Sequence, residues 1–143
     1  MKIMLFEPQY RDDLIFMILQ AKDALGRPPR LNEDLLDIQA SYFDRGGLFW
    51  IAVDDNDRVV GSIGVQRELN GMRLKRLFVK FDLKRQGIGS GLLEHAERFA
   101  REAKAQTIRA GVGGSEYFES HSFYPKHGYS QIEPGLMVKQ LCP

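Results

Sequence analysis

The sequence of 143 residues holds a single cysteine, Cys142, so no intrachain disulfide can form and a reducing compartment is expected. It lacks any apolar run near the roughly 20 residues needed to cross a bilayer, so no membrane partner is expected. Its opening stretch, MKIMLFEPQYRDD, turns acidic and polar too early for a secretory leader, which points to a cytoplasmic location. An excess of one charge is missing too. Twenty Lys and Arg against 19 Asp and Glu leave +1, which gives no electrostatic reason to expect nucleic acid as a partner. The 3 histidines show no ligand spacing, so no metal is expected. With no internal repeat, no low-complexity linker, 43% hydrophobic and 27% charged residues, the chain reads as one globular domain over residues 1–143.

What is present is a regular alternation of patterns. Lys2 to Phe6 is short and apolar enough for a first strand. Leu14, Ile15, Ile18, Leu19 and Leu25 recur on one face of a helix over Asp12 to Leu25, which Gly26-Arg27-Pro28-Pro29 ends. A second helix is expected from Glu33 to Phe43, with Asn32 as its N-cap and Gly46-Gly47 as its stop. Leu48 to Val53 and Arg58 to Leu69 read as strands around the turn cluster Asp54 to Asp57, with Gly61 and Gly64 as bulge sites. Asn70-Gly71 predicts a tight hairpin into a strand from Arg73 to Lys80, because both residues tolerate positive φ.

A helix over Ser90 to Lys104 turns Leu92, Leu93, Ala96, Phe99, Ala100 and Ala103 inward and Glu94, Glu97, Arg98 and Arg101 outward. Thr107 to Val112, a helix from Glu116 to Lys126 and a closing hairpin of Tyr129 to Ile132 with Leu136 to Leu141 complete the order βααβββαβαββ. Meandering strands followed by one strand–helix–strand crossover predict an α/β (α+β mixed) fold. Its centre is a mixed, mostly antiparallel sheet of about six or seven strands flanked by about four helices.

Chemistry concentrates in LKRQGIGSGLL, Leu83 to Leu93, at the end of a segment where Arg73 to Arg85 carries six Lys/Arg and one Asp. A strand, a glycine loop and a helix N-terminus in succession present free backbone N–H groups to an anion. Glycines let the backbone approach phosphate oxygens closely. No Gly-Lys-Ser/Thr occurs, which excludes a P-loop. The dinucleotide fingerprint G-x-G-x-x-G also fits poorly, because the third glycine, Gly91, falls one residue early. The pattern that fits is the acyl-CoA pyrophosphate loop, Q/R-x-x-G-x-G/A. Lys84-Arg85-Gln86-Gly87-Ile88-Gly89 matches it with one departure, Lys84 in place of Gln or Arg.

Five blocks, in order and spacing, resemble the GNAT superfamily of acyl-CoA-dependent N-acetyltransferases. They are FWIAVDD (Phe49 to Asp55), VVGSIGV (Val59 to Val65), LKRLFVK (Leu74 to Lys80), KRQGIGSGLL (Lys84 to Leu93) and HSFYPKHGY (His121 to Tyr129), and the likeness runs over about Lys2 to Leu141. The resemblance implies that the strand before the loop splays from its neighbour. Leu77, Phe78 and Val79 would then pair with the pantetheine arm of acetyl-CoA, the co-substrate. A backbone N–H near Phe78 or Val79 would polarise the thioester carbonyl. Backbone amides of Gln86, Gly87, Ile88, Gly89 and Ser90 would bind the pyrophosphate, with Lys84 and Arg85 supplying charge at the rim. Lys84 lacks the bidentate geometry of Arg, so it bears on the strength of binding more than its location.

Tyr124 matches the family tyrosine that lies near the departing sulfur, and a phenol of pKa about 10 is a reasonable proton source for a thiolate. Phe123 reads as a packing residue, as do Phe43, Phe49 and Trp50, while His95 and His127 read as surface residues. Tyr117 and Ser120 stand where many relatives carry Asn and Ala. The resemblance implies an acceptor groove lined by the first two helices, including the Gly26 to Arg30 loop, and by the closing hairpin around Glu133. The general base is least marked: Glu68, Glu116, Glu119 and His121 are the candidates, and Glu68, at the strand end nearest that groove, is the first choice. The expected function is acetyl transfer to a primary amine by direct attack in a ternary complex. A small molecule or amino acid suits the acceptor better than a protein tail, since no extended acidic docking surface is evident. A non-catalytic acyl-CoA sensor of the same fold is the alternative. Many relatives dimerise, so a homodimer is compatible with the resemblance.

Overall fold

In the computed structural model, residues 1–112 and 118–141 are described, the side chains of residues 118–121 excepted. Seven strands run as β1 (Lys2–Leu5), β2 (Leu48–Val53), β3 (Val59–Glu68), β4 (Gly71–Val79), β5 (Thr107–Gly111), β6 (Ser130–Glu133) and β7 (Leu136–Gln140). They form one sheet in the order β1-β2-β3-β4-β5-β7-β6. Every neighbouring pair is antiparallel except β4 and β5. Those two run parallel because a helix crosses between them. The helices are α1 (Arg11–Ala24), α2 (Ile38–Ser41), α3 (Ile88–Glu102) and α4 (Phe118–Lys126). This is the mixed, mostly antiparallel α/β architecture expected.

Alternation along the strands divides the core in two, since successive side chains point to opposite faces. Phe49, Ile51 and Val53 of β2 pack under Leu14, Met17, Ile18 and Ala21 of α1 together with Leu35, Ile38 and Tyr42. Trp50 and Ala52, with Ile63, Val65, Met72 and Leu74, face the other way onto Ile88, Leu92, Leu93, Ala96 and Ala100 of α3. Asp12 and Asp13 occupy the first turn of α1, where carboxylates complement the helix dipole. Asp13 also accepts hydrogen bonds from the Arg58 guanidinium and the Val59 N–H, which ties α1 to the start of β3.

Several local expectations need correction. The continuous helix over Glu33 to Phe43 is instead a 3-10 turn (Glu33–Leu36), one turn of α-helix (α2) and a second 3-10 turn (Phe43–Arg45). Asp37 causes the break: its side chain accepts from the Ala40 N–H and caps a new turn, in competition with the helix that would run through it. The buried face of α1 uses Met17 and Ala21 where Leu19 and Leu25 were expected.

The hairpin after β3 pairs Glu68 with Gly71, so its two-residue loop is Leu69-Asn70, and only Asn70 takes a positive φ, 62°. Gly71 serves close packing instead. A Cβ there would come within 2.7 Å of the Thr107 carbonyl oxygen on β5. Glu97, placed on the solvent side of its helix by pattern, turns inward, is 7% exposed, and bonds to the Tyr129 hydroxyl and the Lys139 ammonium.

Candidate active site

The parallel pairing of β4 with β5 begins at Gly71↔Thr107 and ends at Leu74↔Ala110. On its other edge β4 remains paired with β3 as far as Val79. From Lys75 to Val79, therefore, β4 has no strand partner on the β5 side among the described residues. An open strand edge of this kind is a template for an extended ligand. Leu77, Phe78 and Val79, the residues expected to hold a pantetheine arm, all lie along it.

A bulge reshapes this strand. Gly64 pairs with Lys75 but Ser62 with Phe78, so β4 carries one more residue than β3 across the interval. Both glycines expected near bulges flank irregular register: beside Gly61 the extra residue is Val60 of β3, set against β2, while beside Gly64 it belongs to β4. Arg76 adopts φ 58°, rare for a residue with a side chain. Two contacts hold it there. The Ser62 hydroxyl donates to the Arg76 carbonyl at 2.7 Å, and the Arg76 guanidinium donates to both oxygens of Asp34, at 3.0 and 2.9 Å. The Tyr42 hydroxyl also donates to Asp34. Burial alone would raise the Asp34 pKa, but hydrogen bonds from Arg76 and Tyr42 outweigh it and hold the carboxyl below its ordinary range.

The extra residue also switches the strand's faces. Met72 and Leu74 face the α3 side before the bulge, Leu77 and Val79 after it, while Phe78 joins the α1 side. Nothing in the sequence marked Asp34 or Tyr42. Only their convergence on Arg76 makes them part of the site.

Beyond β4, a 3-10 turn (Phe81–Leu83) leads into the glycine loop. Arg85 takes φ 66°, and Gly87, the N-cap of α3, takes φ 84°. The helix starts at Ile88, two residues before the expected Ser90. Its first ladder bond runs from the Gly91 N–H to the Gly87 carbonyl at 2.9 Å. The N–H groups of Ile88, Gly89 and Ser90 thus have no acceptor within the helix, and no acidic side chain occupies the first turn. This end of the helix attracts anions. Lys84 is half-buried, while Arg85, Gln86 and Gly87 are exposed.

Helix α4 reaches the same point. A Cβ on Gly89 would lie 3.5 Å from the Phe123 ring and 3.6 Å from Val79, so loop, strand end and α4 meet there. His127, expected at the surface, is half-buried and lies with Nε2 3.1 Å from the Ser90 hydroxyl. Tyr124 is 6% exposed and packs edge-on between the rings of Phe123 and Tyr129, in the cluster that Leu77 and Val79 border. Burial pushes its pKa well above the ordinary tyrosine value.

Glu68 is elsewhere. It ends β3 at the opposite end of β4 from the loop, with its oxygens 3.8 Å from Arg73 and 3.6 Å from Arg109. Of the other candidates, Glu116 and Tyr117 lie outside the described residues, as does Cys142, and so do the side chains of Glu119, Ser120 and His121.

Comparison with known proteins bears on this geometry. Residues 45–131 match the model of the acetyltransferase (GNAT) domain family. Human N-acetyltransferase 8 is 37% identical over 76 residues, which cover 48% of this chain but only 33% of that protein. The crystal structure of a GNAT-family acetyltransferase from Staphylococcus aureus Mu50 superposes with a TM-score of 0.90 at 24% identity, covering 99% of both chains. PaiA N-acetyltransferase from Thermoplasma acidophilum, in complex with coenzyme A, superposes with a TM-score of 0.76 at 21% identity, over 98% of this chain and 99% of that one.

Proposed function

Because this chain belongs to the GNAT family of acetyltransferases and is an acyltransferase, we propose that it moves an acetyl group from acetyl-CoA to a primary amine by direct attack. The observation that carries this reading is the open edge of β4 leading straight into the free N–H groups that begin α3. An extended pantetheine arm needs the first and a pyrophosphate the second.

N–H groups alternate sides along a strand. One of Phe78 and Val79 therefore faces β3, and the other faces the opening, where it donates to the thioester oxygen as charge develops. The amine nitrogen forms a bond to the carbonyl carbon, the carbon–sulfur bond breaks, and the electron pair leaves on sulfur. Tyr124, which burial keeps protonated, donates its phenolic hydrogen towards that sulfur. Before the attack the acceptor's ammonium loses a proton, which passes through water to Glu68. Lys84 and Arg85 hold phosphate charge at the mouth of the loop.

Two measurements on one variant test the reading. Tyr124→Phe should lower kcat for amine acetylation by about 100-fold, the scale of general acid catalysis, while the calorimetric affinity for acetyl-CoA stays at the wild-type value. Wild-type protein that binds acetyl-CoA but acetylates no member of an amine panel would make it a sensor. A response to NAD without one to acetyl-CoA would end the coenzyme A reading altogether.

A further inference from the structure

The sheet face under α1 carries a charge cluster of which the transfer reading uses only Glu68, leaving Arg73 and Arg109 without a role. Arg73 on β4 and Arg109 on β5 are register partners on parallel strands, so their side chains leave the same face of the sheet side by side. Like charges placed so are unfavourable unless something anionic lies between them. Glu68 is the one carboxylate that approaches both among the described residues. It stays 3.8 Å from Arg73 and 3.6 Å from Arg109, too far for a hydrogen bond to either.

The cluster therefore keeps one net positive charge. Arg73 Nε, Arg109 Nε and Glu68 Oε2 are buried atoms without a hydrogen-bond partner among the described residues. Such groups are costly to leave unpaired. Meanwhile the residues themselves remain partly open, with side chains 31%, 38% and 28% exposed for Arg73, Arg109 and Glu68.

Position gives the cluster a purpose. Arg73 does not lie along its own strand. A Cβ on Gly111 would come within 2.8 Å of its Nη2, so the guanidinium leans over the last residue of β5. That is where β5 ends and the gap beside β4 opens. The glycine makes room for it. Lys75, the register partner of Gly64, lies on the same face, because a Cβ on Gly64 would point at Phe49 and Tyr42 of the α1-side core. Arg76, by contrast, is neutralised by Asp34. Two guanidinium groups whose Nε atoms have no acceptor among the described residues thus stand on the α1 face of the sheet beside the opening, within a few residues of the strand edge where acetyl would be presented.

We infer that this cluster recognises a carboxylate on the acceptor, and that the substrate class is small amino carboxylates whose reacting amine stands several bonds from the carboxylate, as in ω-amino acids. The inference rests on the acetyl-transfer reading above. Guanidinium groups bind carboxylates through paired, charge-assisted hydrogen bonds, and an ammonium offers no such geometry. The acceptor's amine then points along β4 towards Leu77 to Val79 while its carboxylate stays between Arg73 and Arg109. Polycationic amines are disfavoured, because they meet net positive charge on the face they must cross.

Matched pairs test this directly. Wild-type protein with acetyl-CoA is offered amino acids of increasing amine-to-carboxylate length, each beside its primary amide, with spermidine as a polycation, and released CoA is followed. The acids should exceed their amides in kcat/KM by at least about tenfold, the usual weight of a charge-assisted pair. Arg109→Gln and Arg73→Gln should each shrink that ratio through KM, with Arg109→Lys intermediate because it keeps the charge and loses the fork. Equal use of acids and amides overturns the inference. So does a preference for spermidine, a ratio that survives in both variants, or failure to acetylate any acid while other amines are accepted. Calorimetry with acetyl-CoA alone separates this failure from the larger one, since a protein that does not bind acetyl-CoA loses the transfer reading as well.

Discussion

As the proposed base, Glu68 stands at the far end of β4 from the loop and would act only through a relay. Its carboxylate meets Arg73, four positions before Leu77 in the strand, which is at most roughly 13 Å and less across the bulge at Arg76. It cannot touch an amine at the thioester, so any proton it takes must arrive through water. A consequence for pH follows. Glu68→Gln should lower kcat/KM by about tenfold near neutral pH and recover towards wild type near pH 10, where the amine loses its proton unaided. A loss of the same size at every pH would make Glu68 an anchor for Arg73 and Arg109 and nothing more. Residues of the loop and Tyr124 were visible in the sequence as candidates because they belong to contiguous motifs. Arg73, Arg109, Asp34 and Tyr42 were not, because what makes them a site is register across strands and a turn of chain some 40 residues away.

Among the elements, the start of α3 carries the sharpest contrast. Gly87 and Gly89 differ in what they must do. Gly87 needs its φ of 84°, although a Cβ there would meet nothing within 4 Å; Gly89 has no such requirement, and a Cβ there would make ordinary contacts. Gly87→Ala should therefore cost about 1 kcal/mol of stability through left-handed strain and should weaken acetyl-CoA binding by more than tenfold, since the loop's amides are aimed by that conformation. Gly89→Ala should retain both stability and binding, as the G/A choice in the motif allows. Thermal unfolding and calorimetry on the two variants check this, and equal losses of affinity in both would remove the conformational explanation. Strands and long helices were readable from their periods of two and 3.6. The broken segment from Glu33 to Arg45 was not, because Asp37 as an internal cap looks the same in sequence as Asp37 on a helix surface.

For the whole molecule, two carboxylates fasten the helical layer of α1 and its successor turns to the sheet. Hydrogen bonds from Arg58 hold the Asp13 carboxyl below its ordinary range, and Arg76 and Tyr42, working against burial, do the same for Asp34. Since the folded-state pKa of each is depressed, their contribution is complete above the unfolded value of about 4 and is lost as pH falls through the lower, folded value. Tm should be nearly level from pH 7 to about pH 5 and drop below about pH 4. Arg76→Gln should unfold at lower temperature at neutral pH, and its Tm gap to wild type should narrow between about pH 5 and pH 2. A gap that stays constant with pH would show that Asp34 and Arg76 are not coupled in stability. The two-faced core was legible from alternation; the exchange of faces within β4 was hidden, since a bulge adds a residue without leaving a signature in composition.

That exchange at Arg76 divides β4 between the two faces of the sheet. Upstream of it, β4 shows the α1 side Arg73 and Lys75; downstream, Leu77 and Val79 border the α3-side cluster at the loop. One strand thus speaks two dialects. On the proposed transfer reading, the residues that would choose the acceptor and those that would hold the donor share a strand without sharing a face.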